Sequence, residues 1–583
     1  MKLSNKFFSA IFFLSFFIFQ LSFSQEALNS SEENYYDFLA LQGFVERPTI
    51  NYRTLSDSQW NLENLNGHIW ENNNLGITFT LFEAQQPTEN FYTKGIKQGI
   101  FLRLYPLEWY NSYNTAAPYG QNDGALWQGK GYNTSFTTGI RLEGYGFEFT
   151  FKPQLSFSQN LKFDYITPAY SPYIYDKDGN IIGDSIYKDY ASEYGYYGVT
   201  YIDAPQRFGN EAFFTFDLGD TEVRYTWNNL TLGFGTQAIW LGPAKLNPII
   251  HSNNAASYPK IDIGLRRQKI ILPWLDWYCG DLELRGWWGK LSESDFFDSD
   301  DTNDHNLISG LAIGWSLPGI FDGLSVGLNR TMISKWNNIS KYTLFEIFVP
   351  SIGTSGGADA SDQRFSFTVN YLLPKSDFEV YLEWARNDFS PSMDFIIRYP
   401  FHTQAWTFGT QKAFDLPHNL KLQMLIELTF LETSADYDRL IAWYTTFYAH
   451  HKVTQGYTNK GQWLGAGIGT GGNSQYLGFR LYHKKGSVDF FIQRRNPDLD
   501  YTMFIDSKTY PKDNPETKGF AERNIRAMLD FGISGNYYFT DDLNLYGQFV
   551  YQDERNPLNL GNKDRSSIHR HNCNISVGVK YEL

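Results

Sequence analysis

The sequence has few cysteines, no surplus of basic residues and no long apolar run beyond its first 24 residues. Cys279 and Cys573 are the two cysteines among 583 residues, which excludes a disulfide scaffold and leaves open either one bridge or two separate thiols. The formal net charge of -14 argues against nucleic acid as a partner. The sequence motifs typical of nucleotide-binding proteins and serine hydrolases are also missing.

Residues 1–24 have the pattern of a secretory signal peptide. Lys2 and Lys6 precede an apolar run over residues 7–19, and we predict cleavage before Gln25. Cleavage removes two positive charges and changes the net charge from -14 to -16, since residues 1–24 contain no acidic side chain. No run of about 18 apolar residues follows, so we expect no transmembrane helix. The mature chain is therefore predicted to be periplasmic, secreted or an outer-membrane β-barrel.

Composition separates these three possibilities. Aromatic residues make up 18% of the chain, yet the mean hydropathy is -0.41, so large apolar side chains are interleaved with polar ones. A barrel with lipid outside and water inside needs this interleaving, because each strand faces two different solvents. Composition thus favours the outer-membrane β-barrel and predicts contact with outer-membrane lipid.

Strict alternation marks individual strands. In the last ten residues, Ile575, Val577 and the other odd-numbered side chains are mostly apolar, whereas the even-numbered ones are polar or glycine. Residues 147–158 alternate in the same way, and their twelve residues span about 40 Å, enough to cross a membrane at a tilt. The C-terminal strand also resembles the signal read by the barrel-assembly machinery, which we expect as a partner during biogenesis.

We predict an all-β fold: a transmembrane antiparallel outer-membrane β-barrel over residues 96–583. Dividing about 480 residues into units of about 27 residues gives about 18 strands. Residues 25–95 are not barrel-like and are predicted to form a small helical periplasmic element or a plug. Within them we expect one helix in Tyr36–Val45, ending at Gly43, and a second in Leu55–Leu65.

The connections between strands differ in length. The short ones, predicted to be periplasmic turns, are Asn228-Asn229, Pro374 to Asp377, Pro417 to Asn419 and Thr540 to Asp542. The long ones, predicted to be extracellular loops, are residues 164–197, 292–306, 351–363, 433–460 and 551–571.

The stretch from Thr221 to Arg267 resembles the central signature of the capsule-assembly Wzi family. It contains the Asn228-Asn229 turn, Trp240 with Gly242-Pro243, and an Asn-Asn pair followed by Pro259. Weaker similarities occur in LALQGFVERPTINYRTLSDSQW near the N-terminus and in YLEWARND at residues 381–388. The resemblance implies an outer-membrane barrel that acts as a lectin and holds capsular or related polysaccharide at the cell surface.

Because the loop over Leu241–Tyr258 follows the strand after the short Asn228-Asn229 turn, the topology predicts that it lies outside the cell, and we expect it to bind polysaccharide. The candidate ligand-binding residues are Gln237, Trp240, Ser252, Asn253 and Asn254, together with Tyr173 and Tyr175 in a tyrosine-rich loop. Amide groups both donate and accept hydrogen bonds, and tyrosine offers a flat face and a hydroxyl, as sugar recognition requires. The alternative is that these residues only fold and pack the loops.

Four charged residues are predicted to line the lumen: Asp262, Arg266, Glu379 and Glu383. Glu379 and Glu383 lie about 13 Å apart along one strand, beyond the separation of two glycosidase carboxylates, so no catalytic residue is predicted.

No metal site or other cofactor is predicted. Asp176, Asp178 and Asn180 begin like a calcium loop but lack its glycine and its closing glutamate. His569, His571 and Cys573 share one side of an extended segment, a pattern more typical of solvent-facing residues than of a zinc site.

The sequence therefore predicts a non-enzymatic, lectin-like protein of the cell outer membrane that retains capsular polysaccharide. A porin or substrate channel is the main alternative, since a charged lumen also suits a pore. An outer-membrane hydrolase and a subunit of a larger assembly are further alternatives.

Overall fold

The computed structural model describes most of the chain beyond residue 29. The described residues are 20–21, 23–24 and 30–583, apart from 63–64, 66, 77, 86–87, 89, 167–172, 177–179, 187, 189–190, 196–201, 273, 349–360, 388–392, 402, 433–446, 451, 498, 500–525 and 559–567. The predicted signal peptide lies almost entirely outside the described residues. Parts of four predicted loops, within 164–197, 351–363, 433–460 and 551–571, lie outside them as well.

Eighteen antiparallel strands of the described chain close into one barrel. They are β1 (Gly99–Asn114), β2 (Gly131–Gly144), β3 (Phe147–Phe151 and Gln154–Ser158), β4 (Phe213–Asp217 and Glu222–Trp227), β5 (Leu230–Gly235), β6 (Lys260–Leu272), β7 (Trp277–Ser292), β8 (His305–Ser316), β9 (Leu324–Lys335), β10 (Asp362–Leu373), β11 (Phe378–Asn387), β12 (Gln404–Leu416), β13 (Leu420–Phe430), β14 (Asn473–His483), β15 (Gly486–Asn496), β16 (Ala527–Tyr538), β17 (Leu543–Arg555) and β18 (His569–Tyr581). The barrel closes where β18 pairs with β1, from Asn574↔Asn114 to Tyr581↔Leu107. The predicted fold and strand number are confirmed.

Side chains alternate between the two faces of the barrel as predicted. On β18, Ile575 and Val577 are 48% and 56% exposed on the outer face, whereas Asn574 and Ser576 are buried towards the lumen. On β11, Glu379, Tyr381 and the other inward side chains are buried. This arrangement places an apolar band outside and polar groups inside, as a membrane barrel requires.

The two ends of the barrel differ in their connections. Asn228 and Asn229 both have positive φ angles, 47° and 65°, which is the geometry of a type I′ hairpin turn. Other short connections at this end form the 3-10 turns Gly319–Phe321, Pro374–Ser376 and Pro417–Asn419. The long loops lie at the opposite end and carry α2 (Lys341–Phe345), α3 (Met393–Arg398), the 3-10 turns Trp336–Asn338 and Glu346–Phe348, and the short strands Tyr173–Tyr175, Ile181–Asp184, Trp240–Leu241, Thr458–Asn459 and Gln462–Trp463. Outer-membrane barrels have short periplasmic turns and long extracellular loops, so the long-loop end faces outward.

The N-terminal segment begins with one helix, α1, at Ser31–Leu41. It starts five residues before the predicted Tyr36, because Ser30 caps it by accepting a hydrogen bond from the Glu33 amide. The prediction of a second helix over Leu55–Leu65 is wrong for the described residues. That region forms the strand Trp60–Asn61 instead, just after the strand Tyr52–Arg53, because its backbone pairs with other segments.

Helix α1 lies inside the barrel at its short-turn end. Its Tyr35 ring stacks on Trp70 at 4.1 Å, and Phe38 packs against the inward-facing Tyr482 of β14 at 4.4 Å. Lys580 of β18 forms a 2.8 Å ion pair with Glu32 of the helix. The strand Thr78–Glu83 then pairs with the start of β1, and the two-residue strands Gln20–Leu21 and Phe23–Ser24 pair with residues 78–79 and 60–61.

The two cysteines are not bridged. Cys279 lies in β7 and Cys573 in β18, and both are free thiols.

The helices among the described residues are all too short or too polar to span a membrane.

The outward orientation of Val577 predicts the effect of a charge at that position. Because Val577 lies in the middle of β18 on the apolar face, Val577→Arg should lower the free energy of unfolding in lipid vesicles by about 2–4 kcal/mol. Val577→Leu is the matched control and should change stability little. Urea titration of both variants checks this. If Val577→Arg has the same free energy of unfolding as the wild type, Val577 does not face lipid.

Candidate functional site

The loop between β5 and β6, residues 236–259, folds into the barrel and is called the inner loop below. The prediction that Leu241–Tyr258 lies outside the cell is therefore wrong for residues 241–250, which lie in the lumen, whereas residues 252–254 contact loops at the long-loop end. Ile239, Trp240 and Leu241 are each 0% exposed, and Ile249 and Ile250 are buried in one apolar cluster with Ile239 and Leu241. These five large apolar side chains need surroundings without water, which the lumen supplies and an exposed loop does not.

This inner loop meets the N-terminal segment inside the lumen. Trp240 and Leu241 pair with Arg53 and Tyr52 as a short antiparallel ladder. The guanidinium of Arg53 also lies over the Trp240 ring, 5.3 Å from its centroid. Gln237 accepts a 3.1 Å hydrogen bond from the Ser56 amide and donates a 2.8 Å bond to the Ser56 hydroxyl. Gln237 and Trp240, predicted as ligand-binding residues, thus contact the N-terminal segment.

Carboxylates of the barrel wall hold the backbone of both segments. Glu283 of β7 accepts hydrogen bonds from three consecutive amides of the N-terminal segment, at residues 50, 51 and 52, over 2.6–3.1 Å. Glu427 of β13 accepts from the amides of residues 245–247, and Glu383 of β11 accepts from the Ile249 amide at 2.8 Å. A buried amide without a partner is costly, so these carboxylates stabilise irregular backbone inside the lumen.

A buried charge network joins the wall to Asp57 of the N-terminal segment. Asp57 pairs with Arg266 at 2.7 Å and with Arg285 at 3.0 Å. Arg285 also pairs with Asp262 at 2.6 Å, and Asp262 pairs with Arg224 at 2.7 Å. Burial alone would raise the pKa of Asp57, but Arg285 and Arg266 hold that pKa below its usual value. Asp57 is thus held as a carboxylate between two guanidinium groups.

A second charge network joins the wall, the N-terminal segment and the inner loop. Arg47 pairs with Glu379 of β11 and with Asp37 of α1, and Lys245 of the inner loop pairs with Asp37 at 2.8 Å. The four residues predicted to line the lumen, Asp262, Arg266, Glu379 and Glu383, therefore point inward. Arg266, Glu379 and Glu383 contact the protein segments that fill the lumen, whereas Asp262 pairs with the wall residues Arg224 and Arg285.

Removing the Asp57 charge tests how the N-terminal segment is held. Asp57→Asn removes one partner of Arg285, whose side chain is 1% exposed, and of Arg266, whose side chain is 17% exposed, while Asp262 and Glu148 remain as their other partners. We expect the free energy of unfolding to fall by about 1–3 kcal/mol. We expect faster proteolysis of residues 30–75 and a measurable conductance in planar bilayers, whereas we expect no steady channel from the wild type.

The matched control is Asp541→Asn in an exposed ion pair with Lys485 near the same end of the barrel. This control should change stability by less than about 1 kcal/mol. Equal proteolysis of the two variants would show that Asp57 does not hold the segment.

Ser252, Asn253 and Asn254 tie loops together. The Ser252 hydroxyl donates a 2.6 Å hydrogen bond to the Gly465 carbonyl. The Asn253 carbonyl accepts from the Gly124 amide, and Asn254 accepts from the Asn122 amide and donates to the Trp463 carbonyl. These contacts join the inner loop to the loops at 115–130 and 461–472.

Tyr173 and Tyr175 lie apart from the inner loop, on a small hairpin. The strand Tyr173–Tyr175 pairs with Ile181–Asp184, and the Tyr173 side chain is partly exposed, whereas the Tyr175 side chain lies outside the described residues. At the hairpin turn, the Asn180 amide donates a 2.8 Å hydrogen bond to the Asp176 carboxylate. Asp178, the middle residue of the calcium-like spacing, lies outside the described residues.

A pocket of about 240 Å³, the mouth pocket, opens at the long-loop end. Its wall includes the rings of Tyr119, Trp127, Phe163, Tyr165 and Trp463, and the amides of Gln128, Gln206, Asn254 and Gln462. Three arginines from the ends of strands or the adjoining loop, Arg495, Arg526 and Arg570, complete it. Flat rings beside amide and guanidinium groups suit a ligand with both C–H faces and many hydroxyl or carboxylate groups.

Ion pairs fix the arginines of the mouth pocket. Arg526 and Arg570 share the Glu554 carboxylate, at 2.7 and 2.6 Å, and Arg495 pairs with Asp530 at 2.7 Å. Three guanidinium groups thus stand against two carboxylates, in a chain whose net charge is negative. Asp123 also lines the pocket, and burial raises its pKa to about 7, so the pocket has a surplus of positive charge only while this carboxyl is protonated.

Sequence reasoning missed nearly all of the mouth pocket. Asn254 is the one member among the predicted ligand-binding residues. The other members come from separate parts of the chain, near residues 117–128, 163–166, 204–206, 461–467, 526–528 and 552–557, and at residues 495 and 570. Only the frequency of aromatic residues in these loops was a signal, and it did not show which loops converge.

Asp123 of the mouth pocket predicts a pH dependence. Burial raises the pKa of Asp123 to about 7, although a hydrogen bond from Gln128 opposes the rise. Because the folded loop keeps this carboxyl protonated where the unfolded loop ionises, its contribution to stability is full below pH 3.8 and is lost as the pH rises through about 7.

The proteolysis rates of wild type and Asp123→Asn, compared at each pH, test this. The wild-type loop at 115–130 should be cleaved faster than the variant above pH 7 and no faster near pH 4. If the ratio of the two proteolysis rates does not change with pH, the pKa of Asp123 is not raised.

The fold and the filled lumen define a class of protein: an outer-membrane β-barrel whose interior is occupied by its own chain. A family model, Capsule assembly protein Wzi, matches residues 115–559. Because this match covers more than half of the sequence, the chain belongs to the Wzi capsule assembly family. It is a protein of the cell outer membrane.

One solved structure supports the fold. The chain is similar to Wzi of Escherichia coli, described as an outer-membrane protein involved in group 1 capsule assembly and a carbohydrate-binding β-barrel. The identity is 12%, the similarity covers 82% of this chain and 85% of that one, and the TM-score is 0.51. OprD of Pseudomonas aeruginosa is 10% identical over 85% of this chain and 99% of that one, with a TM-score of 0.37. No curated protein matches the sequence.

Proposed function

We propose that this protein is a non-enzymatic lectin that binds capsular or related polysaccharide at the mouth pocket and retains it at the cell surface. The observation that carries the proposal is the mouth pocket itself, with its rings, amides and guanidinium groups at the outward-facing end. Membership of a capsule assembly family agrees with a polymer as the ligand. The relative from Escherichia coli is described as carbohydrate-binding, which supports the same ligand class.

The chemistry of the pocket suits weak, repeated contacts. A ring such as Trp127 packs against the C–H face of a sugar, and the amides of Gln128 and Gln462 exchange hydrogen bonds with its hydroxyls. One pocket gives modest affinity for one sugar unit. Many copies of the protein along one polymer multiply that affinity, because each later contact is made at high local concentration.

The filled lumen favours this function over a porin. A channel needs a continuous water path, whereas α1, residues 47–58 and the inner loop occupy the interior and are held by wall carboxylates. We propose no enzymatic function, because the described residues that line the pocket include no serine, threonine, cysteine, histidine or lysine, and its Glu554 carboxylate is ion-paired with Arg526 and Arg570.

A double variant of the mouth pocket tests the proposal. Trp127→Ala with Arg570→Gln removes one ring and one guanidinium, and Glu554 keeps Arg526 as its partner. We expect the Kd for the purified polysaccharide to rise by about tenfold or more, and cells carrying this variant should release polymer into the medium at unchanged total yield.

The matched control changes the same residue types at the same end of the barrel but outside the pocket: Trp336→Ala with Arg398→Gln. Arg398 forms only an exposed ion pair with Asp394. If both double variants bind and retain the polymer equally well, the mouth pocket is not the binding site. If a strain without the gene keeps all its polymer on the cells, the retention function itself is wrong.

A further inference from the structure

Two histidines and an aspartate converge on the outer wall of the barrel, away from the mouth pocket. His569 and His571 lie at the start of β18, and Asp553 lies near the end of β17. One potential ligand atom from each lies within 4.8 Å of the others. Across the described residues, no second group of three such side chains comes this close.

The pairing of the two strands explains the convergence. Asp553 lies directly opposite His571 in the β17–β18 ladder, and His569 is two residues further along the same face. All three side chains therefore point outward, because positions two apart on a strand share one face. Sequence reasoning grouped His569 and His571 with Cys573, but the neighbouring strand supplies Asp553 as the third member of the cluster.

The distances match those around a bound metal ion. His569 Nδ1 is 2.8 Å and His571 Nδ1 is 3.7 Å from the same oxygen, Asp553 Oδ1. Zinc binds nitrogen and oxygen at about 2.1 Å, which places two tetrahedral ligands about 3.3 Å apart. The observed distances lie on either side of this value, so movements of about half an ångström would accommodate an ion.

The neighbouring side chains do not prevent a metal ion from reaching the three ligand atoms. Arg555 contacts the other Asp553 oxygen, Oδ2, at 3.4 Å. The Tyr551 hydroxyl shares a 2.8 Å hydrogen bond with His571 Nδ1, and a metal ion would replace this contact. The side chains of His569 and His571 are 37% and 58% exposed, so water can fill the remaining coordination positions.

We propose that Asp553, His569 and His571 bind a divalent transition-metal ion such as Zn²⁺ on the outer wall of the barrel. Two imidazoles with one carboxylate suit zinc, nickel or copper, whereas calcium and magnesium prefer all-oxygen sites. The site lies beyond the apolar side chains of Phe549 and Ile575, where β17 and β18 leave the apolar band. It does not depend on the proposed polysaccharide function.

Calorimetric titration with Zn²⁺ tests the proposal on the full chain in detergent, purified without a histidine tag. We expect one ion per chain near neutral pH, unaffected by excess Mg²⁺ or Ca²⁺. His569→Gln, His571→Gln and Asp553→Asn should each weaken binding by at least about tenfold. Binding should also weaken in acid, because protons compete with the metal ion for the imidazole nitrogens.

Two control variants separate this site from nonspecific binding. His305→Gln removes an exposed histidine on the distant β8, and Cys573→Ser removes the nearby thiol; neither should change the affinity. Heat-modified gel mobility confirms that each barrel is folded. Absence of saturable Zn²⁺ binding by the wild type would overturn the proposal, as would full binding by the folded double variant His569→Gln with His571→Gln.

Discussion

The contact between wall carboxylates and buried backbone amides is the interaction on which the interior of this barrel depends. A lumen filled by irregular chain contains many amides that lack helix or sheet partners, and each is costly if left without a hydrogen bond. Glu283 alone accepts from three consecutive amides, and Glu427 accepts from three more. These two side chains allow non-repetitive backbone to occupy a space that water fills in a porin.

The filled lumen in turn builds the outward-facing surface. The inner loop rests on the N-terminal segment, and Ser252 and Asn254 at its far end bind the loops that form the mouth pocket. The pocket is thus supported from below by a packed interior. This arrangement holds its side chains in fixed positions, and preorganised groups bind with a smaller entropy cost.

The sequence predicts the barrel wall well and the interior poorly, for a physical reason. Whether Val577 faces lipid or Ser576 faces the lumen follows from alternation along one strand, so local pattern suffices. The path of the inner loop depends on partners far away in the chain, such as Glu427, which lies 182 residues beyond Lys245. The large apolar residues of that loop were a signal of burial, but the order of short and long connections shows only the end at which a loop leaves the wall and not whether it folds back into the lumen.

The mouth pocket shows the same limit. Arg570 and Tyr119 are separated by most of the sequence and meet only because β18 closes the barrel against β1. The cluster of Asp553 with His569 and His571 likewise needs the register of β17 against β18, which the spacing of histidines alone does not contain. In both cases the residue types were visible, whereas their juxtaposition required the closed sheet.

The filled lumen also has a consequence for the permeability of the cell envelope. Every copy of an open barrel adds a path by which small solutes, detergents and antibiotics cross the outer membrane. A barrel packed with its own chain adds surface without adding such a path. The cell can therefore display this protein at high copy number and keep its outer membrane a barrier, which suits a task carried out by many weak contacts in parallel.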